Sequence, residues 1–249
     1  MKNGNVQKKQ LIAVPVLGLA ANVLRALLYR VAVDEKNLLV PGHPVEMALW
    51  AVVLAAAALV VLTVRKMGGS GNYADNFGPS VRAATGNLVM GIILLGLVLT
   101  GRPGVAQGMG KAWRLLGLVA SLGFVWSAWL RWKGRKPFFL ARVAACLFLL
   151  LHIVTYYQHW SGNPQLQDYI FDLLAVVLLT LFSYHTALFE VGMGKRRMQL
   201  ATGLLACLLC LTALSGSEYF ALCLGGAYWS VSDLCALEPK EGGESHEDS

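Results

Sequence analysis

Eight apolar stretches occupy almost all of this 249-residue chain, and short polar loops separate them. Each stretch is close to the ~20 residues that a helix needs to cross a ~30 Å hydrocarbon core. The chain is 56% hydrophobic and only 14% charged, whereas roughly a quarter of the residues in a soluble domain are charged. We therefore predict an all-α, polytopic transmembrane helix bundle of about eight helices. The predicted spans are Leu11–Ala32, Val45–Val64, Ala83–Gly101, Ala112–Leu130, Phe138–Trp160, Gln167–Glu190, Met198–Gly216 and Tyr219–Leu237.

The distribution of cations among the loops predicts the orientation of the bundle. If the N-terminus is inside, 15 of the 21 Lys and Arg residues fall in inside segments and five in outside segments. Cytoplasmic loops carry the excess of Lys and Arg in membrane proteins. We therefore predict that both termini are cytoplasmic in a bacterial plasma membrane. The loop Arg102–Arg114 is the exception, because it places three cations outside, and the orientation of the third and fourth helices is supported least.

The chain divides into three predicted segments. Residues 1–10 form a short cytoplasmic N-terminal segment, and residues 11–237 form the transmembrane domain. Residues 238–249 (EPKEGGESHEDS) are acidic and lack large apolar side chains, which predicts a disordered cytoplasmic tail. A secretory signal peptide is the alternative for the first apolar stretch, but no small-residue cleavage site follows it, so we favour a retained helix.

A short internal repeat suggests a duplication. Ala-Thr-Gly occurs at 84–86 and again at 201–203, and prolines precede the second and sixth stretches at Pro44 and Pro164. Four helices return a chain to its starting side, so such halves would be two parallel four-helix units related by an axis along the membrane normal. Three-residue matches also arise by chance in apolar sequence, which leaves the duplication as one alternative.

Small residues spaced four apart predict close contacts between helices. In lipid, helices associate through tight packing of small side chains. We predict that these pairs pack helices within one chain, and dimerisation to a homo-oligomer is the alternative. The pairs are Gly117/Ser121, Gly123/Ser127 and Ala221/Gly225.

Ionisable residues inside the predicted helices form one candidate site. Such residues cost about 2.5–3.5 kcal/mol each on insertion scales, so they are default functional candidates. Arg25, His152 and Asp172 lie roughly 8–12 Å below the outer ends of their helices. Asn22 shares the helix face of Arg25. We predict that these four residues bind a solute or an ion. The alternative is a structural Arg25–Asp172 ion pair beside a histidine that makes a packing hydrogen bond.

A polar stripe follows the whole length of the sixth predicted helix. Residues spaced three and four apart share one side of a helix, and this stripe is typical of a path for a hydrophilic species. Its members are Asp168, Asp172, Leu179, Ser183, Thr186 and Glu190.

A second candidate set lies toward the predicted cytoplasmic side. It contains Arg142, His185, Glu190 and Asp233. We expect Arg142 and Glu190 to reach water, because they are close to helix ends. Asp233 is deeper, so we predict that it pairs with a nearby cation, and a proton or ion relay is the alternative.

No sequence motif for catalysis or cofactor binding withstands inspection. Cys207-Leu208-Leu209-Cys210 matches a redox C-x-x-C pair, but it lies in an apolar stretch without a second pair, and none of the five cysteines lies in an outside loop. Zinc, P-loop and Rossmann spacings do not occur in the chain. We therefore expect no enzymatic activity, no cofactor and no metal. We also exclude nucleic acid, because the net charge of +7 comes from cations that flank helices.

The leading functional hypothesis is a small permease-like transporter of a solute or ion. Its site would lie between the first, fifth and sixth predicted helices, where Arg25 would counter an anionic group. The alternative is a noncatalytic membrane sensor or assembly partner, whose basic loops and acidic tail would engage another membrane protein. An enzyme acting on lipid is a weaker idea, since no nucleophile has a matched base. In each case the lipid bilayer is the main surrounding partner.

Overall fold

The computed structural model describes residues 2–33, 39–40, 42–65, 70–71, 73–101, 110–160 and 169–237. Within these residues the fold is helical, with eight helices of 16 or more residues, one short helix and two paired two-residue strands. The elements are α1 (Lys2–Val31), α2 (Pro44–Val64), β1 (Ser70–Gly71), α3 (Tyr73–Asn76), α4 (Val81–Thr100), α5 (Gly110–Trp132), α6 (Phe139–Trp160), α7 (Ile170–Glu190), β2 (Gly194–Lys195), α8 (Arg196–Ala213) and α9 (Phe220–Cys235).

Each long helix coincides with one predicted apolar stretch. The main difference at a helix start is in α1, which begins at Lys2 rather than at Leu11. In the described residues, six helices are long and apolar enough to cross a membrane, namely α1, α2, α4, α5, α6 and α7. Helices α8 and α9 have 18 and 16 residues, or roughly 27 and 24 Å at the helical rise. Full-length spans are therefore supported for six of the eight stretches.

Local sequence signals explain where two of these helices begin. His43 precedes α2, and its Nδ1 accepts a hydrogen bond from the backbone N–H of Val45 at 3.3 Å. Pro44 follows at the first helical position, where its missing N–H costs nothing. At the start of α4, the Ser80 hydroxyl accepts from the backbone N–H of Ala83 at 3.3 Å. Both contacts satisfy backbone donors that a helix start otherwise leaves unpaired.

Five helices form a ring. Neighbouring helices around it are α4 and α5, α5 and α6, α6 and α7, α7 and α9, and α9 and α4. Helix α8 packs against α7 and α9 on one side and against α1 and α2 on the other. Most of its residues are buried, so α8 is the interior helix of the bundle. We call the set α4, α5, α6, α7 and α9 the five-helix ring.

The contacts between helices do not divide the bundle into two equivalent four-helix halves. Under the predicted duplication, α4 and α8 would be equivalent helices. Helix α8 contacts four helices and is interior, whereas the main neighbours of α4 are α5 and α9. The repeated Ala-Thr-Gly segments also have different nearest neighbours, since the atoms nearest Gly86 belong to α9 and those nearest Gly203 belong to α7 and α9. The short repeat therefore does not correspond to a repeated packing unit.

The outer surface of the bundle is apolar. Along α1, the side chains of Ile12, Val16, Leu19 and Val23 are all at least 49% exposed. Their spacing of three and four residues places them on one helix face. An exposed apolar face of this size is unfavourable in water, so it indicates contact with lipid.

Small residues bring the ring helices close together, as predicted for packing within one chain. The Ser121 hydroxyl donates a hydrogen bond to the backbone oxygen of Gly91 at 2.8 Å, which joins α5 to α4. A Cβ atom added at Gly123 would lie 2.6 Å from the Cβ of Ala141 on α6. At Gly225 of α9, an added Cβ would lie 2.3 Å from the side chain of Ile93 on α4.

Several connections meet at one end of the bundle. Strand β1 follows α2 and pairs antiparallel with β2, which precedes α8. Phe77, just after α3, forms a backbone bridge with Leu237, just after α9. Gly134, in the turn between α5 and α6, lies close to Pro79. We call this the β end. The other end of the bundle, where α1 and α8 finish and α7 and α9 begin, is called the opposite end. The loops that the sequence assigns to the cytoplasm meet at the β end.

Candidate functional site

A buried ion pair lies near the opposite end. Arg25 of α1 and Asp172 of α7 approach to 3.6 Å between Nη1 and Oδ1, and both side chains are 2% exposed. Arg25 also donates hydrogen bonds to the backbone oxygen of Ala213 at 3.0 Å and to the Tyr29 hydroxyl at 3.2 Å. The Tyr156 hydroxyl donates to Asp172 at 3.2 Å. We call Arg25, Tyr29, Tyr156 and Asp172 the opposite-end cluster. In this cluster, both charged side chains also form hydrogen bonds with neutral groups.

Asn22 and His152 lie beside this cluster. The Asn22 side chain accepts a hydrogen bond from the backbone N–H of Ser215 at 2.8 Å, which ties α1 to the turn between α8 and α9. His152 is buried and stacks with aromatic rings, the nearest being Tyr219 at 4.5 Å between centroids. Its Nε2 has no hydrogen-bond partner among the described residues. Of the four residues predicted as a site, Arg25 and Asp172 are in contact and the other two are neighbours.

A second set of charges lies near the β end. Arg131 of α5 and Asp233 of α9 approach to 2.7 Å between Nη2 and Oδ1. Arg142 of α6 and Glu190 of α7 approach to 3.4 Å between Nε and Oε1. Arg142 also donates to Asn87 of α4. We call Arg131, Arg142, Glu190 and Asp233 the β-end quartet. With Asn87, each helix of the ring contributes one polar side chain at this level.

The quartet lies under an aromatic cover. The Arg131 guanidinium is 5.0 Å from the centroid of the Tyr73 ring in α3 and 4.5 Å from that of Phe77. Such contacts are favourable because the ring face attracts a cation, especially where water is excluded. Burial raises the pKa of Tyr73 to about 12, although the nearby charge of Arg131 opposes the shift. Tyr73 is therefore neutral at physiological pH and covers the quartet as an uncharged ring.

An aromatic layer separates the quartet from the opposite-end cluster. The rings of Phe124 and Phe182 pack edge-on against Trp229, with centroids 5.0 and 4.7 Å from it. Arg142 lies on the β-end side of this layer, with its guanidinium 4.6 Å from the centroid of Phe124. Along α6, Phe148 falls between Arg142 and His152. The two charged groups therefore occupy different depths of the helix bundle.

Several atoms of the quartet lack hydrogen bonds. Within the described part of the chain, this holds for Nε and Nη1 of Arg131, Nη1 of Arg142, Oε2 of Glu190 and Oδ2 of Asp233. All four side chains are no more than 1% exposed. A buried charged atom without a hydrogen bond carries its full desolvation cost. The quartet therefore depends on charge pairing and cation–π contacts more than on hydrogen bonds.

The structure corrects two expectations for the second candidate set. Arg142 and Glu190 do not reach water, because their side chains are only 1% and 0% exposed. His185 does not join the group. It is partly exposed, and its ring contacts that of Tyr184 at 5.4 Å. The predicted cationic partner of Asp233 is present and is Arg131.

The stripe on α7 faces the interior over its described part. Asp172, Ser183, Thr186 and Glu190 are all buried. Asp168 lies outside the described residues. The Thr186 hydroxyl accepts a hydrogen bond from Gln199 of α8 at 2.9 Å. The side of α7 that the sequence marks as polar is therefore used in helix contacts.

A cavity of about 540 Å³ opens at the β end. Its walls include the rings of Tyr73, Phe77 and Phe189, together with Gly134 and Lys136. The same Tyr73 and Phe77 rings cover Arg131. They therefore form a wall between this cavity and the β-end quartet.

Among the described residues, no three His, Cys, Asp or Glu side chains are grouped so that they could hold a metal ion. All five cysteines are free thiols, and Cys207 and Cys210 are buried in α8. The C-x-x-C spacing therefore lies in the apolar interior of the bundle.

Comparison with known proteins identifies no relative of this chain. No family model, no curated protein and no solved structure matches it. The positions of the two charged clusters are therefore the basis for a functional proposal.

Proposed function

We propose that this protein is a small, nonenzymatic, permease-like transporter of a bacterial plasma membrane. One observation carries the proposal: two buried charged clusters lie at different depths of the helix bundle, with an aromatic layer between them. Charged residues in a membrane interior are costly and mark ion or solute pathways. Buried ion pairs are weak contributors to stability, because well-packed apolar residues often serve equally well. Three such pairs therefore favour a role beyond packing.

The opposite-end cluster is the proposed binding site, and a small carboxylate is the proposed substrate class. The 3.6 Å contact between Arg25 and Asp172 is longer than the ~2.7–2.9 Å of a strong charge-assisted hydrogen bond. A solute carboxylate can bind Arg25 at the shorter distance and in a bidentate manner. Asp172 would keep the hydrogen bond from Tyr156. Exchange of one carboxylate for another would leave Arg25 paired throughout.

The orientation is part of the same proposal. Most loop cations flank the β end, and cytoplasmic loops are the cation-rich ones. We therefore assign the β end, and both termini, to the cytoplasm. Solute binding at the opposite-end cluster would then take place from outside the cell.

A second candidate function is a membrane sensor or assembly partner. The observation that favours it is the 540 Å³ cavity at the β end, which opens beside Lys136. A cavity of this size between basic loops suits a segment of another membrane protein. This function would require the cavity but not the Arg25–Asp172 pair.

Uptake into proteoliposomes tests the transport proposal. Radiolabelled succinate serves as the carboxylate probe, and radiolabelled phosphate as the control anion. We expect succinate uptake above that of empty vesicles, and a loss of about tenfold or more, equivalent to ~1.4 kcal/mol, in Arg25→Gln and in Asp172→Asn. The first removes the charge that binds the solute carboxylate, and the second removes the carboxylate that takes Arg25 back when the solute leaves. The matched control is Arg30→Gln, which removes an exposed arginine from the same helix.

Two results would contradict the proposal. Succinate uptake no greater than that of empty vesicles would remove the carboxylate class. Uptake that is unchanged in both cluster variants, with only a lowered melting temperature, would leave Arg25–Asp172 as a structural pair.

A further inference from the structure

We infer that the β-end quartet and the rings of Tyr73 and Phe77 form a closed gate at the β end of the five-helix ring. This inference rests on the proposed transport function, because a gate requires a path to close. It assigns a role to Arg131 and Asp233, which lie on the far side of the aromatic layer from the proposed binding site.

The placement of the quartet supports a gate rather than a local clasp. The Arg131–Asp233 pair joins α5 to α9, and the Arg142–Glu190 pair joins α6 to α7. Asn87 connects α4 to the second pair. Every helix of the ring is therefore tied to another ring helix near this end. The helices cannot move apart at this end while both ion pairs remain closed.

The energetics of the quartet allow it to open. Its buried atoms without hydrogen bonds pay a desolvation cost in the closed state. When the helices separate, water can bind those atoms and recover part of that cost. Opening therefore replaces ion pairs that lack some of their hydrogen bonds with hydrated charges. A gate made of apolar side chains would lose its packing contacts on opening and gain no hydration in return.

The cavity beside the cover supplies the space that opening needs. Tyr73 and Phe77 lie between the cavity and Arg131. A cavity of 540 Å³ exceeds the volume of an aromatic side chain, so the rings can swing into it without displacing a helix. In that position they would leave Arg131 open to water from the β end.

A cysteine at Ser127 reports whether the gate is closed. Ser127 is fully buried on α5, one turn deeper than Arg131, and serine to cysteine is a small change. The experiment measures modification of Ser127→Cys by a membrane-impermeant maleimide in nanodiscs, with mass spectrometry to resolve each thiol. Cys235, exposed near the β end, is the native thiol that reacts in every variant.

We expect slow modification of Ser127→Cys alone and faster modification when a pair is broken. Asp233→Asn and, independently, Glu190→Gln should raise the rate about tenfold or more, the effect of losing ~1.4 kcal/mol of closed-state stability. The double exchange Arg131→Asp with Asp233→Arg should restore slow modification. Glu46→Gln is the matched control, because it removes a carboxylate from α2, outside the five-helix ring, and should leave the rate unchanged.

The inference is overturned if folded Asp233→Asn and Glu190→Gln variants protect the cysteine as well as the parent does. It is also overturned if Glu46→Gln accelerates modification equally, since the effect would then be a general loosening of the bundle. These results are separable from the transport test. Accelerated modification without succinate uptake would contradict the proposed substrate and retain the gate, whereas uptake with unchanged protection would retain transport and exclude the gate.

Discussion

Both charged clusters are built from ion pairs between arginine and a carboxylate, but the other groups that contact the arginine differ between them. At the opposite end, Arg25 has two neutral hydrogen-bond acceptors, Ala213 and Tyr29, in addition to Asp172. At the β end, Arg131 has Asp233 and two aromatic rings, and its Nε and Nη1 lack hydrogen bonds among the described residues. Removal of one carboxylate should therefore have different consequences at the two ends. Arg25 would remain hydrogen-bonded, whereas Arg131 would become an uncompensated buried charge.

The largest effect is expected from Asp233→Ala. Breaking a buried ion pair by removing one partner costs about 3–5 kcal/mol, because the remaining charge is buried without compensation. Titration with denaturing detergent, followed by circular dichroism, measures the loss of unfolding free energy. The double variant Asp233→Ala with Arg131→Met removes both charges and should recover most of it. Equal instability of the single and double variants would mean that packing, rather than charge, holds this contact.

Gly123→Ala should disturb the β end through packing alone. The added methyl group would lie 2.6 Å from the Cβ of Ala141, the residue before Arg142. It would push α6 away from α5 at the level of the quartet, and overpacking of this kind costs about 1–3 kcal/mol. The matched control is Gly96→Ala, where an added Cβ meets nothing within 4 Å. There the better helix propensity of alanine should make the change neutral or stabilising. Similar destabilisation by both substitutions would argue against the close contact.

Asp172→Asn is expected to have a smaller effect than Asp233→Ala. Asparagine can still accept from Tyr156, and Arg25 keeps Ala213 and Tyr29. We expect a loss of about 1–2 kcal/mol, the range of one charged hydrogen bond, in the same unfolding assay. A loss as large as that of Asp233→Ala would contradict the proposed difference between the two clusters.

Hydropathy and helix geometry predict most of the helices and one of the two clusters. Long apolar stretches predict helices well, because a bilayer demands a minimum length and excludes charge. Depth along a helix follows from its rise, so the sequence predicts a similar depth for Arg25 and Asp172. Their contact at 3.6 Å is consistent with this common depth.

The β-end quartet was only partly predictable, for physical reasons. Hydropathy assigns Arg131 to a loop, because an apolar stretch is taken to end where charge begins, but α5 continues to Trp132 and buries Arg131. The short helix α3 lies in a Gly-rich, polar segment that has no periodic pattern of apolar residues. The cover that Tyr73 and Phe77 form over Arg131 therefore has no signal in the sequence. The expectation that Glu190 reaches water is wrong, because its side chain is 0% exposed although it ends α7.

His152→Phe is expected to have the smallest effect on stability and to separate packing from binding near the opposite end. His152 is 2% exposed and lies among the rings of Trp113, Phe148, Tyr156 and Tyr219. Its Nε2 has no hydrogen bond within the described residues, so phenylalanine preserves the stacking and removes a buried polar atom. We expect a change within about 1 kcal/mol, in either direction, because the two rings are similar in volume. If succinate uptake falls while the unfolding free energy holds, His152 belongs to the solute site; if both are unchanged, it only fills space beside Asp172. A large loss of stability would mean that the histidine has a polar role, which would make the two ends of the ring more alike than the clusters indicate.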